Sequence, residues 1–177
     1  DGRLIISMSP QEGKSQTGSR RFPEWALMQN PNLRIAIASY EANIARRWGR
    51  AIRDDIQTHP ETFNLSVRDD LSAQHEWQLA GHEGGVFTAG VGGAMTGRPV
   101  DLLIIDDFAL QPLDATATAD FYELVVARHQ RNATIVTSNR EPAEWLTMMS
   151  DALLAQSAVD RLTSGAHTLI IEGPSYR

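Results

Sequence analysis

A polar loop near the start of the chain, between Met8 and Ser15, carries the residue types that bind phosphate groups. It follows an apolar segment and precedes a helix-like one, so its backbone N–H groups would face an anion at a helix N-terminus. Gly13 permits close approach of the backbone, Lys14 supplies charge for the outer phosphates, and Ser15 supplies a hydroxyl for Mg²⁺. Met8 stands where the usual pattern has its first glycine, so the motif is incomplete. The predicted nucleotide-binding residues are Gln11, Glu12, Gly13, Lys14, Ser15 and Gln16.

Two adjacent carboxylates, Asp106 and Asp107, follow the apolar run Leu102–Ile105. Taken alone, this pattern also fits a strand that ends in an ordinary polar turn. Together with the phosphate-binding loop it predicts a site for ATP and Mg²⁺, in which Asp106 holds the metal through water or the Ser15 hydroxyl. Asp107 would orient or deprotonate the attacking water.

Two other residues are candidates for sensing the nucleotide. Asn139 follows the apolar run Ala133–Thr137 and could hydrogen-bond the γ-phosphate, although a plain turn after a strand fits equally well. Arg161 lies near the end of a helix-like segment and could enter the site of a neighbouring subunit as an arginine finger, which would require a homo-oligomer. An ordinary surface ion pair is an equal alternative for Arg161.

The elements that must position these residues alternate along the chain. Helix-like spacing of apolar residues separates five apolar segments that have the composition of buried parallel strands. The predicted strands, in chain order, are Leu4–Ser7, Leu33–Ser39, Leu102–Ile105, Ala133–Thr137 and Thr168–Ile171. The predicted helices are Glu41–Ile56, Ala117–Gln130, Pro142–Met149 and Leu153–Leu162.

This alternation predicts an α/β, three-layer P-loop NTPase fold with a mainly parallel five-stranded sheet in the order 5-1-4-3-2. The glycine-rich stretch Phe63–Gly97 departs from the pattern. We interpret it as a hairpin or loop insertion before the acidic strand.

Length and charge narrow the possible partners. With 177 residues the chain has the size of one domain, and its net charge of −6 would repel DNA. Contact with double-stranded DNA would therefore need a local basic patch. The candidates are Arg46, Arg47, Arg50 and Arg53, although a solvated helix face is at least as compatible with them.

The absence of cysteine excludes disulfides and cysteine-ligated zinc. Without a long apolar run or a visible signal peptide, we expect a cytoplasmic protein with no membrane contact.

From Arg3 to about Asp107 the chain resembles the ATPase domain of the large terminase subunit of tailed phages. The stretches that carry this resemblance are Ser7–Ser15, Arg21–Trp25, Asn30–Tyr40 and Gly90–Arg98 running into Asp101–Asp107. The resemblance implies that the missing first glycine is normal. It also implies a DNA-packaging motor with the phage portal and small terminase subunit as partners. Ser9 and Gln11 depart from the family pattern, which puts a catalytic cation in this loop in doubt.

From about Asp101 to Arg177 the chain instead resembles the ATPase domain of IstB-type transposition helpers, relatives of the DnaC helicase loader. The matching stretches are Asp106–Asp114, Thr134–Arg140, Glu144-Trp145, Leu153–Ser157, Asp160–Leu162 and Gly173–Arg177. This resemblance implies that Asn139 is the sensor, that Arg161 is the arginine finger and that a transposase is the partner. The coupling motif and nuclease carboxylates expected of a terminase after the acidic strand are missing.

The two resemblances overlap on Asp101–Asp107, so we interpret the chain as a chimera joined there. It would be a single ATPase domain over residues 1–177, with a terminase-like half at 1–107 and an IstB-like half at 108–177. The longer resemblance makes a terminase-type packaging ATPase our first hypothesis. An IstB-like helper is the alternative, and a nucleotide-binding domain without a DNA function is the third.

Overall fold

A computed structural model describes residues 2–9, 13–91 and 98–171, and all structural statements below concern these residues. Their strands are β1 (Arg3–Met8), β2 (Arg34–Ser39), β3 (Val67–Ser72), β4 (Glu76–Leu79), β5 (Gly85–Gly90), β6 (Leu102–Phe108), β7 (Ala133–Ser138) and β8 (His167–Ile171). Their α-helices are α1 (Lys14–Gln16), α2 (Phe22–Gln29), α3 (Ala42–Thr58), α4 (Pro60–Phe63), α5 (Ala115–Arg128), α6 (Pro142–Trp145) and α7 (Ala152–Thr163). A π-helical stretch, Thr17–Arg21, joins α1 to α2, and a 3-10 turn, Leu146–Met148, follows α6.

All eight described strands form one sheet in the order β3-β4-β5-β2-β6-β7-β1-β8. The run from β5 to β8 is parallel, whereas β3 and β4 pair antiparallel with their neighbours. The prediction of a five-stranded sheet is therefore wrong in extent. The five predicted segments correspond to β1, β2, β6, β7 and β8, with bounds that differ by at most three residues at either end.

The stretch that was expected to be an insertion supplies the other three strands. β5 pairs parallel with β2 from Arg34↔Gly85 to Ser39↔Gly90, so it belongs to the main sheet. The antiparallel pair β4–β5 brings the backbones very close at Gly85, where a Cβ atom would lie 2.2 Å from the Trp77 carbonyl oxygen. The interpretation of this stretch as a hairpin is correct for β4 and β5, and residues 92–97 lie outside the described part.

Helices cover both faces of the sheet, which confirms a layered α/β fold. On one face α2 and α3 bury a core that includes Leu27, Ile52 and Ile56 against β2 and β6. On the other face α5, α6 and α7 bury a second core around Phe121 and Trp145. The strands β2 and β6 are buried along almost their whole length because helices pack on each side. Within the described ranges, no helix has the length and apolar character needed to cross a membrane.

Candidate phosphate-binding site

Three predicted site residues meet at the edge of the sheet where its parallel strands end. β1, β6 and β7 are neighbours in the sheet and run in the same direction. Lys14 follows β1, Asp107 lies near the end of β6, and Asn139 comes directly after β7. Ligands of open α/β sheets bind at this carboxyl edge, so the topology alone places the three side chains where a site is expected.

Lys14 is the centre of this cluster. Its Nζ atom lies 2.7 Å from Asp107 Oδ1 and also donates to Asn139 Oδ1. Only 6 % of the side chain is exposed, so the ammonium group needs these partners to offset its lost hydration. The structure therefore brings together a cation, a carboxylate and an amide from three segments that are far apart in the sequence.

Asp106 lies in a different environment from its neighbour, with only 1 % of its surface exposed. Its Oδ1 atom accepts a hydrogen bond from Thr137 Oγ1 at 2.8 Å, and Oδ2 accepts one from the Trp48 indole Nε1 at 2.8 Å. A buried carboxylate needs such donors because it has left water. Asp106 is consequently fixed in position by β7 on one side and by α3 on the other.

A local distortion of β6 places the two neighbouring carboxylates, Asp106 and Asp107, in different surroundings. The pairing of β6 with β7 shifts register between Ile105 and Phe108, and Asp107 has a φ of 51°, in the left-handed region. The Asp107 N–H donates to Thr137 Oγ1 at 3.1 Å, and Ser138 Oγ closes the irregularity by donating to the Phe108 carbonyl at 2.8 Å. This bulge changes the direction of the chain after Asp106, and the next carboxylate lies against Lys14.

The remaining loop residues are placed less completely. Gly13 has a φ of 87°, which favours glycine, and its carbonyl accepts the Thr17 N–H where α1 begins. Ser15 and Gln16 lie in α1 and are half-buried. Gln11 and Glu12 lie outside the described residues, so their predicted roles stay predictions.

Arg161 is not brought to this cluster. Its backbone carbonyl accepts a hydrogen bond from the side chain of Arg3, at the start of β1 and therefore at the opposite edge of the sheet. Its guanidinium group donates to the Ser157 carbonyl at 2.9 Å and lies 5.9 Å from the ring centre of Tyr122. Within one chain, Arg161 is thus a residue of the far edge, and a role in a neighbouring site stays a prediction.

Three contributors to the site were missed by the sequence analysis. Trp48 lies within the predicted helix Glu41–Ile56, where a tryptophan indicates only an apolar, buried position, and nothing in the sequence indicates a partner for its indole N–H. Thr137 was taken only as the end of a strand, whereas its hydroxyl contacts both acidic residues. Arg140 directly follows Asn139, and its Nε donates to the Ala109 carbonyl at 3.1 Å, which fastens the turn that carries the amide.

The donor set at the strand ends fits a hydrated Mg²⁺ ion. Ser39 lies opposite Asp106 in the register of β2 and β6, and its fully buried hydroxyl has no hydrogen-bond partner among the described residues. Mg²⁺ prefers oxygen ligands, keeps several waters and uses one or two carboxylates together with phosphates. An unpartnered hydroxyl beside Asp106 is suited to bind a metal-bound water. No group of three or more potential metal-ligating side chains occurs in the described ranges, so an all-protein metal cage is absent from them.

The sheet order and this edge define a P-loop NTPase-like nucleotide-binding fold. Residues 78–177, more than half of the chain, match the family described as IstB-like ATP binding protein, and the chain belongs to that family. It is 41 % identical over 78 residues to an insertion sequence ATP-binding protein of Sinorhizobium fredii, which is 44 % of this chain and 32 % of that protein. It is 39 % identical over 77 residues to an ATP-binding protein in an insertion sequence of Mycobacterium tuberculosis, which is 43 % of this chain and 31 % of that protein. The matches span about a third of these relatives.

Solved structures share the fold over nearly the whole chain. The large terminase of bacteriophage HK97 superposes with a TM-score of 0.63 at 15 % identity, covering 99 % of this chain and 36 % of the terminase. Domain III of the replication initiation protein DnaA of Thermotoga maritima gives a TM-score of 0.52 at 15 % identity, with 99 % of this chain and 56 % of that chain covered. At these identities the likeness concerns the fold alone.

Proposed function

We propose that this domain binds and hydrolyses ATP with Mg²⁺ at the carboxyl edge of β1, β6 and β7. The observation that carries the proposal is the contact of the Lys14 ammonium with both Asp107 and Asn139. A phosphate chain carries negatively charged acceptor oxygens, and a buried ammonium group forms strong, charge-assisted hydrogen bonds with such oxygens. The description of the matching family as ATP-binding supports this choice of nucleotide.

In this proposal each predicted site residue has one task in binding or hydrolysing ATP. Lys14 contacts the outer phosphates, Asp107 orients or deprotonates the attacking water, and Asn139 hydrogen-bonds the γ-phosphate. Ser15 and Asp106 would hold Mg²⁺, which supplies charge neutralisation to the phosphates. The backbone of Gln11 to Gln16 would cradle the phosphates, as the sequence predicts.

The split between binding and hydrolysis provides the test of these roles. Asp107→Asn removes the charge while keeping the shape, so we expect ATP binding to persist and turnover to fall by about 100-fold or more. Binding is measured by calorimetry and turnover by phosphate release. Arg131→Gln, which removes an exposed charge at the opposite edge of the sheet, is the control. An Asp107→Asn variant that hydrolyses ATP as fast as the control would contradict the role of Asp107.

For the biological task, we infer a helper ATPase that works on double-stranded DNA together with a transposase. Both the family membership and the insertion-sequence relatives support this hypothesis. The longer resemblance along the sequence favoured a terminase-type packaging ATPase, with portal and small-subunit partners, over this helper. The superposition on the HK97 terminase supports only the shared fold, so we now rank packaging second. A nucleotide-binding domain without a DNA task is the third hypothesis, and ATP turnover that duplex DNA does not change would favour it.

We retain the chimera as a hypothesis about origin. The aligned relatives account for 76 to 78 residues of this chain, and the terminase-like stretches run from Ser7 up to and including the acidic residues at Asp106 and Asp107. In this hypothesis one ATPase domain over residues 1–177 combines a half at 1–107 with a half at 108–177. Single long sequencing reads across the codons for Met95 to Ala115 test it: repeated recovery of an uninterrupted join excludes an assembly error, and its failure contradicts a real fusion.

An oligomer with Arg161 acting in trans completes the proposal. Because Arg161 lies at the far edge of its own sheet, it can reach nucleotide only in a neighbouring copy. Mixing Arg161→Ala subunits with Lys14→Ala subunits gives the test. In the mixture, an Arg161→Ala subunit still has Lys14, and a neighbouring Lys14→Ala subunit still has Arg161. A complete site can therefore form only between two subunits, and turnover should reappear in the mixture. A mixture as inactive as its components would contradict the trans arrangement.

A further inference from the structure

The outer face of α3 is a basic surface next to the candidate site. Arg46, Arg47 and Arg50 are exposed and border a groove of about 430 Å³, which Asn43, Gln74 and one carboxylate, Asp54, also line. α3 begins three residues after the end of β2, so its first turns lie near the sheet edge that carries the site. In a chain with a net charge of −6, this surface is a local exception.

The arginines of α3 differ in how far their charges are neutralised. Arg53 is 16 % exposed, lies 2.7 Å from Asp54 and donates to the Ser72 carbonyl, so it belongs to the packing rather than to the surface. Arg50 has only a long, exposed contact of 3.4 Å with Asp54, which contributes little. Arg46 contacts the neutral amide of Asn43, and across the described ranges neither Arg46 nor Arg47 forms an ion pair. Of the four arginines predicted for the patch, Arg46, Arg47 and Arg50 therefore form the surface, and Arg53 does not.

A short series of contacts connects this surface to the acidic strand. The Arg47 guanidinium carbon lies 5.7 Å from the ring centre of Trp48, within the range of a cation–π contact. The Trp48 indole N–H donates to Asp106 Oδ2 at 2.8 Å. One residue thus separates an exposed cation from the carboxylate that is assigned to Mg²⁺.

We propose that the Arg46, Arg47 and Arg50 face of α3 binds the phosphate backbone of duplex DNA, and that Trp48 couples this binding to Asp106. The inference rests on the proposed ATPase and names both its DNA-contacting surface and the link to its site. When Arg47 binds a DNA phosphate, it moves away from the Trp48 ring. The loss of this nearby charge changes the electrostatic environment of the indole N–H, which donates a hydrogen bond to Asp106. ATP turnover then responds to DNA through a hydrogen bond that already exists.

The chemistry of the face favours a duplex over other polyanions. Arg46 and Arg50 are one helical turn apart, about 6 Å along a rigid axis, which suits successive phosphates of a regular backbone. Single-stranded nucleic acids are held mainly by stacking of bases on aromatic side chains. α3 has a single aromatic residue, Trp48, and its indole is directed inward to Asp106. The face therefore offers charge without a stacking platform.

The first experiment measures DNA binding without nucleotide, by fluorescence anisotropy of a duplex of about 30 base pairs over a range of salt concentrations. The triple variant Arg46→Gln, Arg47→Gln, Arg50→Gln should lose at least about tenfold in affinity, and its salt slope should fall by about 2 to 3. Arg131→Gln, an exposed arginine at the opposite edge, should bind as the parent does. Equal binding by the triple variant overturns the surface. Tighter binding of single-stranded RNA with the same arginine dependence overturns the choice of duplex DNA.

The second experiment measures coupling, as the ratio of ATP turnover with duplex DNA to turnover without it. Trp48→Phe keeps an aromatic ring, although a smaller one, and removes the N–H donor, so duplex affinity should persist while this ratio falls to about 1. Trp25→Phe is the matched control, because Trp25 is 55 % exposed on α2, and it should keep the parental ratio. A Trp48→Phe variant with the parental ratio overturns the coupling. A parent that binds no ATP contradicts the proposed function instead, and the nucleotide-free DNA titration still decides the surface.

Discussion

Replacement of Thr137 by valine tests how the site is held together. The Thr137 hydroxyl donates to Asp106 Oδ1 at 2.8 Å and accepts the Asp107 N–H at 3.1 Å, and the side chain is fully buried. Thr137→Val keeps nearly the same volume while removing both hydrogen bonds. We therefore expect Asp106 and Asp107 to lose their fixed positions relative to each other. The substitution itself leaves no cavity, because valine fills the space of threonine.

The magnitude follows from the two lost contacts. A hydrogen bond to a charged group contributes about 1.5–3 kcal/mol, and an unpaired buried N–H costs about 1–3 kcal/mol. Trp48 still holds Asp106, so we take the lower part of the sum, about 3 kcal/mol of unfolding free energy. For a chain of this size that corresponds to a fall in Tm of about 6–12 °C. A displaced Asp107 should lower turnover by about 100-fold, whereas ATP affinity should change little because Lys14 is intact.

Thr137→Ser is the matched control. It keeps the hydroxyl and removes only the methyl group that lies against Gly18, at a cost of about 1 kcal/mol. Differential scanning calorimetry should show that the serine variant is more stable than the valine variant, and phosphate release should show turnover near the parental rate for serine and about 100-fold lower for valine. Equal turnover by the two variants would refute the role of the hydroxyl, whatever their stabilities.

Three further predictions concern other parts of the molecule. Burial raises the pKa of Glu24 from 4.5 to about 7. The free energy of unfolding of the parent should therefore fall by on the order of 3 kcal/mol as the pH rises from 4.5 to about 7. Urea titrations should show that Glu24→Gln removes this pH dependence. Arg34 lowers the pKa of Asp101, so Asp101→Asn should lower Tm near neutral pH, with a difference that disappears as acid protonates the parent. Gly13→Ala should weaken ATP binding by about tenfold in calorimetry, because its φ of 87° strains any other residue.

The meeting of Lys14, Asp107 and Asn139 could be predicted from the sequence. Each residue follows an apolar segment, and parallel strands end at a common edge, so the topology determines which side chains meet. The sequence could not predict that Asp107 would turn to Lys14 by way of a bulge. That turn depends on the left-handed backbone of Asp107 and on the Thr137 hydroxyl, which comes from a different strand.

The extent of the sheet and the role of Trp48 were harder to predict for a related reason. β3 is largely polar and β4 has only four residues, and the place of both strands depends on the pairing of β5 with β2, a contact between distant segments. A tryptophan at helical spacing signals burial, and its single N–H reveals nothing about its partner. Only the packing of α3 on the sheet places that donor beside Asp106.

The most direct test of the account is the affinity of the purified chain for ATP with Mg²⁺, measured by isothermal titration calorimetry for the parent and for Lys14→Ala. Circular dichroism establishes that the variant is folded. We predict saturable binding of one nucleotide per chain by the parent and no measurable binding by folded Lys14→Ala, because the buried ammonium is the group that contacts the phosphates. Binding of ATP by folded Lys14→Ala with the parental affinity would contradict the assignment of this site.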